Sequence, residues 1–146
     1  MNIYFICTGN TCRSPMAEAI LRSKEIADVV VKSAGIYASN GDQVARNAKT
    51  LIEEAGMPYT PVSKAVTKED LGWADVILTM TEIHRAILIE TFPEVDGKVW
   101  TLKDFVKPGF DKDIHDPFGG DLETYRYTFG ELSTTIEALE RKLTEG

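Results

Sequence analysis

Short apolar segments alternate along the chain with segments in which apolar residues recur every three or four positions. The continuous apolar segments, rich in β-branched and aliphatic residues, are 3–6, 29–33, 74–80 and 99–102. Their length and composition predict four buried strands. The segments with helical period are 15–27, 43–55 and 82–92. Because helices alternate with strands, the pattern predicts an α/β fold, a three-layer α/β/α domain with a four-stranded parallel sheet.

The strongest helical period follows Asp121. Apolar residues recur there at Leu122, Tyr125, Phe129, Leu132, Ile136, Leu139 and Leu143. This spacing predicts a last helix that packs on the sheet and is capped by Asp121. Thr67-Lys68-Glu69-Asp70 predicts the start of a short helix, with Asp in place of the usual Glu or Gln of a capping box. The 17 residues 103–119 show no such period and predict a long loop, of the kind that is functional or mobile.

Composition predicts a cytoplasmic protein. With 146 residues, of which 43% are hydrophobic and 27% charged, we expect one domain over 1–146 and a monomer. The net charge of −7 disfavours binding to nucleic acid or to an anionic membrane. No segment approaches the roughly 18 apolar residues of a membrane span, and the first residues do not form a secretory signal. The two cysteines do not suggest a disulfide framework, so we expect reduced thiols.

A thiol and a guanidinium lie six positions apart directly after the first predicted strand. The segment is Cys7-Thr8-Gly9-Asn10-Thr11-Cys12-Arg13-Ser14, and it predicts a helix start with Ser14 as N-cap and Pro15 at the first helical position. Loop N–H groups beside a helix N-terminus bind phosphate oxygens, and Arg13 can bind two of them with its planar fork. The same positive field would stabilise a Cys7 thiolate under the phosphorus. The segment therefore predicts a nucleophile that forms a cysteinyl-phosphate, which water then hydrolyses.

Such a reaction needs an acid for the leaving group and a base for the attacking water. One carboxyl group can serve both steps, and the candidate is Asp116 in His115-Asp116-Pro117-Phe118-Gly119-Gly120. Pro117 stiffens the backbone beside the acid, and Phe118 is placed to form a wall of the pocket. His115 either tunes the acid or is a solvated loop residue. From these residues alone, a plain turn before the last helix is an equally good interpretation.

Neither a metal nor a cofactor is expected. Cys7 and Cys12 lack the second pair of ligands that a zinc site requires. Asp111 and Asp113 lack the glycine and the distal glutamate of a calcium-binding loop. His84 falls in a predicted helix and is interpreted as a surface residue.

With these motifs in place, the chain resembles the low-molecular-weight protein phosphatases over essentially its whole length. The matching segments are Cys7–Pro15, Ser33-Ala34-Gly35, Thr67–Asp70, Ala74–Met80 and Asp116-Pro117. The resemblance implies that Cys7 is the nucleophile, Arg13 the phosphate ligand and Asp116 the general acid. It implies no metal, and its partners are phosphorylated proteins.

The resemblance also implies supporting roles. Residues implied to bind the substrate are Thr8, Gly9, Asn10, Thr11, Cys12, Ser14 and Phe118. Ser14 is implied to donate a hydrogen bond to the thiolate, and Ser33 to hold Asn10. Cys12 either is a small buried side chain or forms a disulfide with Cys7 that protects the nucleophile from over-oxidation. Some members carry a histidine at the place of Pro61, so here Ser33 alone is expected to support the loop.

Within the family the chain most resembles the protein arginine phosphatases of Gram-positive bacteria. Thr11 stands where tyrosine-directed members carry a bulkier aliphatic residue, and Gly119 follows Phe118 where they often place a second aromatic. A planar, cationic phosphoarginine leaving group suits a small hydroxyl side chain, and Asp116 can bind its guanidinium. The hypothesis is a phosphoarginine phosphatase, with a tyrosine phosphatase as the alternative. An arsenate reductase would need a later pair of cysteines, and a noncatalytic binding module would lack the nucleophile or the acid.

Overall fold

The fold, seen in a computed structural model that describes residues 1–145, is built on one sheet of four parallel strands. The strands are β1 (Asn2–Cys7), β2 (Val30–Gly35), β3 (Val76–Thr79) and β4 (Val99–Thr101). Their spatial order is β2-β1-β3-β4, so β1 is central and every neighbouring pair is parallel. The register places Cys7 beside Gly35 at the carboxyl edge of the sheet.

Helices cover both faces of the sheet. They are α1 (Arg13–Ser23), α2 (Arg46–Glu54), α3 (Lys68–Trp73), α4 (Glu82–Thr91), α5 (Leu102–Val106) and α6 (Leu122–Glu145), with a 3-10 helix over Pro93–Lys98. Alternate β1 side chains enter two cores. Ile3 and Phe5 pack with residues of α1, α2, α5 and α6, whereas Tyr4 and Ile6 pack with residues of α3 and α4. The three-layer α/β/α prediction with a four-stranded parallel sheet is therefore confirmed.

The chain leaves the two central strands in opposite directions. After β1 it runs through α1 to β2 on one side, and after β3 it runs through α4 to β4 on the other. Open α/β sheets bind ligands in the crevice that forms at such a switch point, outside the carboxyl ends of the strands. Cys7 lies at this point.

The start and end of α1 differ from the prediction. Cys12 occupies the N-cap position without a side-chain cap, so Ser14 lies inside the first turn and its prediction as N-cap is wrong. The helix ends at Ser23 instead of near residue 27, because Glu25 and Asp28 adopt positive φ angles of 49° and 65°.

The predicted loop over 103–119 is also partly wrong, since α5 includes its first residues. Thr101 caps α5 by accepting the N–H of Asp104 at 3.1 Å, and Phe105 packs on Trp100. The other predicted cap residues hold. Thr67 accepts the N–H of Asp70 at 3.1 Å, and Asp121 accepts the N–H of Thr124 at 2.9 Å.

Candidate active site

A cavity of about 230 Å³ opens at the switch point between β1 and β3. It is lined by Cys7, Thr8, Gly9, Thr11, Cys12, Arg13, Asp116 and Phe118. The structure thus gathers eight of the residues singled out in the sequence around one space: six come from positions 7–13, and two, Asp116 and Phe118, come from about 100 residues further along the chain. Asn10, Ser14 and Ser33 do not line the cavity; they lie buried behind it.

The loop after β1 is held in a tight curl. Asn10 adopts a left-handed backbone conformation, with φ of 56°. The carbonyl groups of Cys7 and Thr8 accept the N–H groups of Ile36 and Tyr37 at 2.9 and 3.0 Å, and the carbonyl of Thr11 accepts the N–H of Ala45 at 2.8 Å. Neighbouring backbone therefore fixes the loop before any ligand binds.

The Cys7 thiol lies at the floor of this curl and is only 3% exposed. Its Sγ receives the backbone N–H of Asn10 at 3.3 Å and lies 2.8 Å from Ser14 Oγ. Both contacts stabilise negative charge on sulfur, and α1 begins beside it, so the helix N-terminus adds to the same field.

Only one assignment of donors and acceptors fits the hydrogen bonds behind the loop. The Asn10 amide nitrogen donates to Ser14 Oγ at 2.8 Å and to Ser33 Oγ at 3.0 Å, which uses both of its hydrogens. Its amide oxygen accepts the N–H of Lys64 at 2.8 Å. Ser14 Oγ therefore accepts from Asn10, and its own hydrogen is left to donate to Cys7 Sγ.

Glu18 anchors the far end of this network, and the sequence reasoning missed it. The carboxylate is 4% exposed; Oε1 accepts from Ser33 Oγ at 2.8 Å and Oε2 from Thr60 Oγ1 at 2.7 Å. Arg22 completes it as an ion pair at 3.2 Å. The available signal was a charged residue within the otherwise apolar stretch 15–21, which predicts a buried, partnered acid.

The expectation that Ser33 alone supports the loop is wrong, because Lys64 and Glu18 share this role. Pro61 itself contributes only a carbonyl, which accepts the N–H of Val44 at 3.1 Å. A larger cavity of about 460 Å³, lined by Glu18 and Arg22 among others, lies behind the loop between α1 and β2, and neither cysteine lines it.

Arg13 and Asp116 face each other across the cavity. The guanidinium is buried and donates from Nη1 to the carbonyl of Ile114 at 3.1 Å, while Nη2 lies 3.7 Å from Asp116 Oδ2. The Asp116 side chain is 57% exposed, and its Oδ1 accepts the N–H of Phe118 at 3.0 Å. The turn exists, and it places the Asp116 carboxylate at the mouth of the cavity, while the role of this group as the acid stays a prediction.

The remaining lining residues differ in exposure. Phe118 is 80% exposed at the rim, and Thr11 is half-buried. Cys12 Sγ lies 3.2 Å from the hydroxyl of Tyr125, and burial raises the pKa of the Cys12 thiol. Both cysteines are free thiols in this structure, so the protective disulfide stays a prediction.

His84 is buried, and its interpretation as a surface residue is wrong. It is 6% exposed, its Nε2 lies 2.8 Å from Thr8 Oγ1, and its pKa is lowered to about 4, chiefly by burial and then by the charge of Arg13. His115 is exposed, and its Nδ1 lies 2.8 Å from Thr128 Oγ1. The structure thus separates the two histidines by environment.

Over residues 1–145, no three His, Cys, Asp or Glu side chains come close enough to form a metal-binding group. In the same part of the chain, no helix is both long and apolar enough to cross a membrane.

A parallel α/β sheet with a thiol, a guanidinium and a carboxylate at its switch point is the arrangement of a cysteine-dependent phosphatase. Comparison with known proteins agrees. The family model for low molecular weight phosphotyrosine protein phosphatase matches residues 2–146. The chain belongs to the low-molecular-weight protein phosphatase family.

Individual relatives differ in their named substrates. A protein-arginine-phosphatase of Geobacillus stearothermophilus is 47% identical, over 97% of this chain and 95% of the relative. The low molecular weight protein-tyrosine-phosphatase PtpB of Staphylococcus haemolyticus is 41% identical, over 95% of this chain and 97% of the relative. A solved YwlE arginine phosphatase, a C7S mutant with a phosphorylated active-site serine, superposes with a TM-score of 0.94 at 38% identity, covering 99% of this chain and 96% of that one.

Proposed function

We propose that this protein is a cysteine-dependent phosphatase that hydrolyses phosphoarginine in proteins. The observation that carries the proposal is the environment of Cys7. Its sulfur lies at the floor of the cavity of about 230 Å³, accepts hydrogen bonds from the Asn10 N–H and the Ser14 hydroxyl, and shares that cavity with Arg13 and Asp116.

In the first step, the Cys7 thiolate attacks phosphorus in line with the bond to the leaving group. The S–P bond forms and the P–N bond to the arginine side chain breaks. Asp116, in its acid form, gives its proton to the departing nitrogen. Arg13 and the loop N–H groups stabilise the charge on the equatorial oxygens. Because Arg13 is held by the carbonyl of Ile114, its guanidinium is already oriented.

In the second step, water attacks the cysteinyl-phosphate. Asp116, now a carboxylate, takes a proton from that water, the P–O bond forms and the S–P bond breaks. Inorganic phosphate leaves, and Ser14 again donates its hydroxyl to the released thiolate. The exposure of Asp116 suits this step, since water reaches it directly.

Phosphoarginine is favoured as substrate by the shape of the cavity mouth and by the relatives. Thr11 is a small half-buried hydroxyl residue on the wall, and Asp116 lines the cavity where a guanidinium would leave. Once Asp116 has given up its proton, its carboxylate pairs with this cationic leaving group, whereas a departing neutral phenol has no charge to pair with. The arginine phosphatase of G. stearothermophilus is also the more similar of the two curated relatives described above.

Phosphotyrosine is the second candidate substrate. It is favoured by the 41% identity to PtpB and by Phe118, whose exposed ring at the rim offers a surface for stacking on a phenol.

The deciding experiment compares two peptides of identical flanking sequence, one with phosphoarginine and one with phosphotyrosine. We expect a higher kcat/KM for the phosphoarginine peptide than for the phosphotyrosine peptide. Thr11→Ile should lower the ratio of these two kcat/KM values, because the larger side chain narrows the cavity. A preference for phosphotyrosine in the unaltered protein would overturn the substrate assignment. If Thr11→Ile leaves the ratio of the two kcat/KM values unchanged, Thr11 does not determine the substrate preference.

We further infer that the protein acts in a reducing compartment such as the cytoplasm, because two free thiols lie within one site.

A further inference from the structure

His84 has no part in the two steps described above, yet it contacts the loop after β1, residues 8–12, which we call the phosphate loop. It lies in the first turn of α4, which follows β3 on the opposite side of the switch point from α1. Its Nε2 lies 2.8 Å from the hydroxyl oxygen of Thr8. Thr8 is exposed and lines the catalytic cavity beside Cys7.

The position of the imidazole is fixed independently of Thr8. Thr81 caps α4 by accepting the backbone N–H of His84 at 3.1 Å, and the N–H of Glu82 is held by Asp113 Oδ1 at 2.8 Å. The ring itself is buried, with 6% exposure. The hydrogen bond to Thr8 is therefore made by a rigid side chain to an exposed one.

The second ring nitrogen indicates which atom carries the proton. Nδ1 is buried and finds no hydrogen-bond partner among residues 1–145. A buried N–H without an acceptor is rarer in native structures than a buried acceptor without a donor. The favoured tautomer therefore has a bare Nδ1 and a protonated Nε2, which donates to Thr8 Oγ1.

We propose that His84 is a positioning residue: by donating to Thr8 Oγ1, it turns the Thr8 hydroxyl hydrogen toward the cavity, where that hydroxyl donates to a phosphoryl oxygen. In the opposite arrangement, Thr8 would donate to His84 and offer only lone pairs to the cavity. The proposal rests on the phosphatase function proposed above, and it adds one donor to those supplied by Arg13 and the loop amides.

The charges around the ring agree with a neutral imidazole. Burial and the nearby Arg13 lower its pKa to about 4, while Asp116 and Asp113 act in the opposite direction with smaller effect. A neutral ring of fixed tautomer can act as a permanent donor throughout the neutral range. The role is one of orientation, since His84 itself exchanges no proton in the reaction.

The tautomer can be observed directly, without an activity measurement. Long-range proton–nitrogen correlation spectra distinguish a protonated Nε2 from a protonated Nδ1. The chain has only two histidines, so a His115→Gln variant assigns the His84 signals. We expect a neutral ring protonated at Nε2, and a ring protonated at Nδ1 would overturn the proposal.

A double-mutant cycle tests the action through Thr8, with inorganic phosphate binding measured by calorimetry. Thr8→Val and His84→Leu should each weaken phosphate binding about tenfold, and the double variant should also lose about tenfold, because only one donor is removed. His84→Gln, which keeps an N–H donor, should recover most of the affinity and serves if His84→Leu does not fold. Losses that multiply to about a hundredfold would mean that His84 does not act through Thr8.

The two proposals fail differently in this experiment. An unaltered protein that does not bind phosphate would contradict the phosphatase function and this inference together. If the unaltered protein binds phosphate, and His84→Leu and His84→Gln both bind it as tightly as the unaltered protein does, this inference alone is contradicted.

Discussion

One series of hydrogen bonds joins five side chains, from Cys7 through Ser14, Asn10 and Ser33 to Glu18. Asn10, in the middle, donates both ways: to Ser14, which donates to Cys7, and to Ser33, which donates to Glu18. A carboxylate can only accept, so Ser33 must donate to it, and each earlier donor is then fixed in turn. Because Ser14 Oγ accepts from Asn10, the Ser14 hydroxyl hydrogen is free to donate to the Cys7 sulfur. A buried acid about two helical turns from the catalytic loop thus stabilises the nucleophile without touching it.

Ser33→Ala should lower kcat by up to about fivefold, because Asn10 loses an acceptor worth about 1 kcal/mol and holds Ser14 less firmly. The measurement is kcat with a phosphoarginine peptide. Ser23→Ala is the matched control, since Ser23 Oγ donates to the carbonyl of Ile20 at the far end of α1. Equal activity of both variants would show that the network does not support catalysis.

The buried His84 should make stability depend on pH. Its pKa is lowered from 6.5 to about 4 by folding, so the unfolded chain binds a proton first as the pH falls. Stability is therefore complete above about pH 6.5 and decreases toward pH 4, by about 2 kcal/mol at about pH 5. Urea unfolding of the unaltered protein should show this loss between pH 7 and pH 5, and His84→Gln should lack it. If the free energy of unfolding falls equally as the pH is lowered in the unaltered protein and in His84→Gln, a group other than His84 is responsible for the loss.

At the scale of residues, the sequence predicted the groups that share a local segment. Cys7, Arg13 and Ser14 stand within eight positions, so spacing sufficed to group them. Glu18 was missed and His84 was wrongly interpreted as a surface residue, because their partners, Ser33 and Thr8, lie 15 and 76 positions away. Such contacts depend on how β1, β2 and α4 are placed in space, which periodicity does not reveal.

At the scale of elements, the end of β2 determines whether the loop can close. Gly35 pairs with Cys7, and a Cβ on it would lie 2.5 Å from the Thr8 carbonyl oxygen and 2.8 Å from the Asn10 nitrogen. Both neighbours are backbone atoms of the loop, so they cannot move aside without opening the curl. The strand must therefore end in a residue without a side chain.

Gly35→Ala should both destabilise the protein, by about 1–3 kcal/mol, and reduce activity, because the added methyl group displaces the phosphate loop. Thermal unfolding and kcat/KM measure the two effects. Gly72→Ala in α3 is the matched control, since a Cβ there meets no atom of the described part of the chain within 4 Å. Normal activity of Gly35→Ala would show that the loop tolerates displacement.

Long helices and strongly apolar strands could be predicted from the sequence, whereas the shortest helices could not. Four apolar segments predicted all four strands, and the 24-residue helix α6 was recognised from its period. The 5-residue α5 and the 3-10 helix over Pro93–Lys98 are too short to show a period and were missed. The early end of α1 was missed because it depends on the backbone angles of Glu25 and Asp28.

At the scale of the whole molecule, folding joins the two halves of the site from opposite ends of the chain. The N–H of Ile114 donates to the carbonyl of Met80 at 2.8 Å, which fixes the segment that carries Asp116 to the end of β3. The Ile114 carbonyl in turn holds Arg13. The acid and the phosphate ligand therefore share one anchor. A monomer remains our prediction, since the net charge of −7 opposes self-association.

The account depends on one covalent species, a phosphoryl group on Cys7. The most direct measurement is the mass of the protein and of its proteolytic peptides after rapid acid quenching of a reaction with a phosphoarginine peptide. Asp116→Asn should slow both the formation of the adduct, which loses its acid, and its hydrolysis, which loses its base, and Cys7→Ala should abolish the adduct. We predict one phosphoryl group on the peptide that contains Cys7. Phosphate release without any adduct, or an adduct confined to Cys12, would contradict the account.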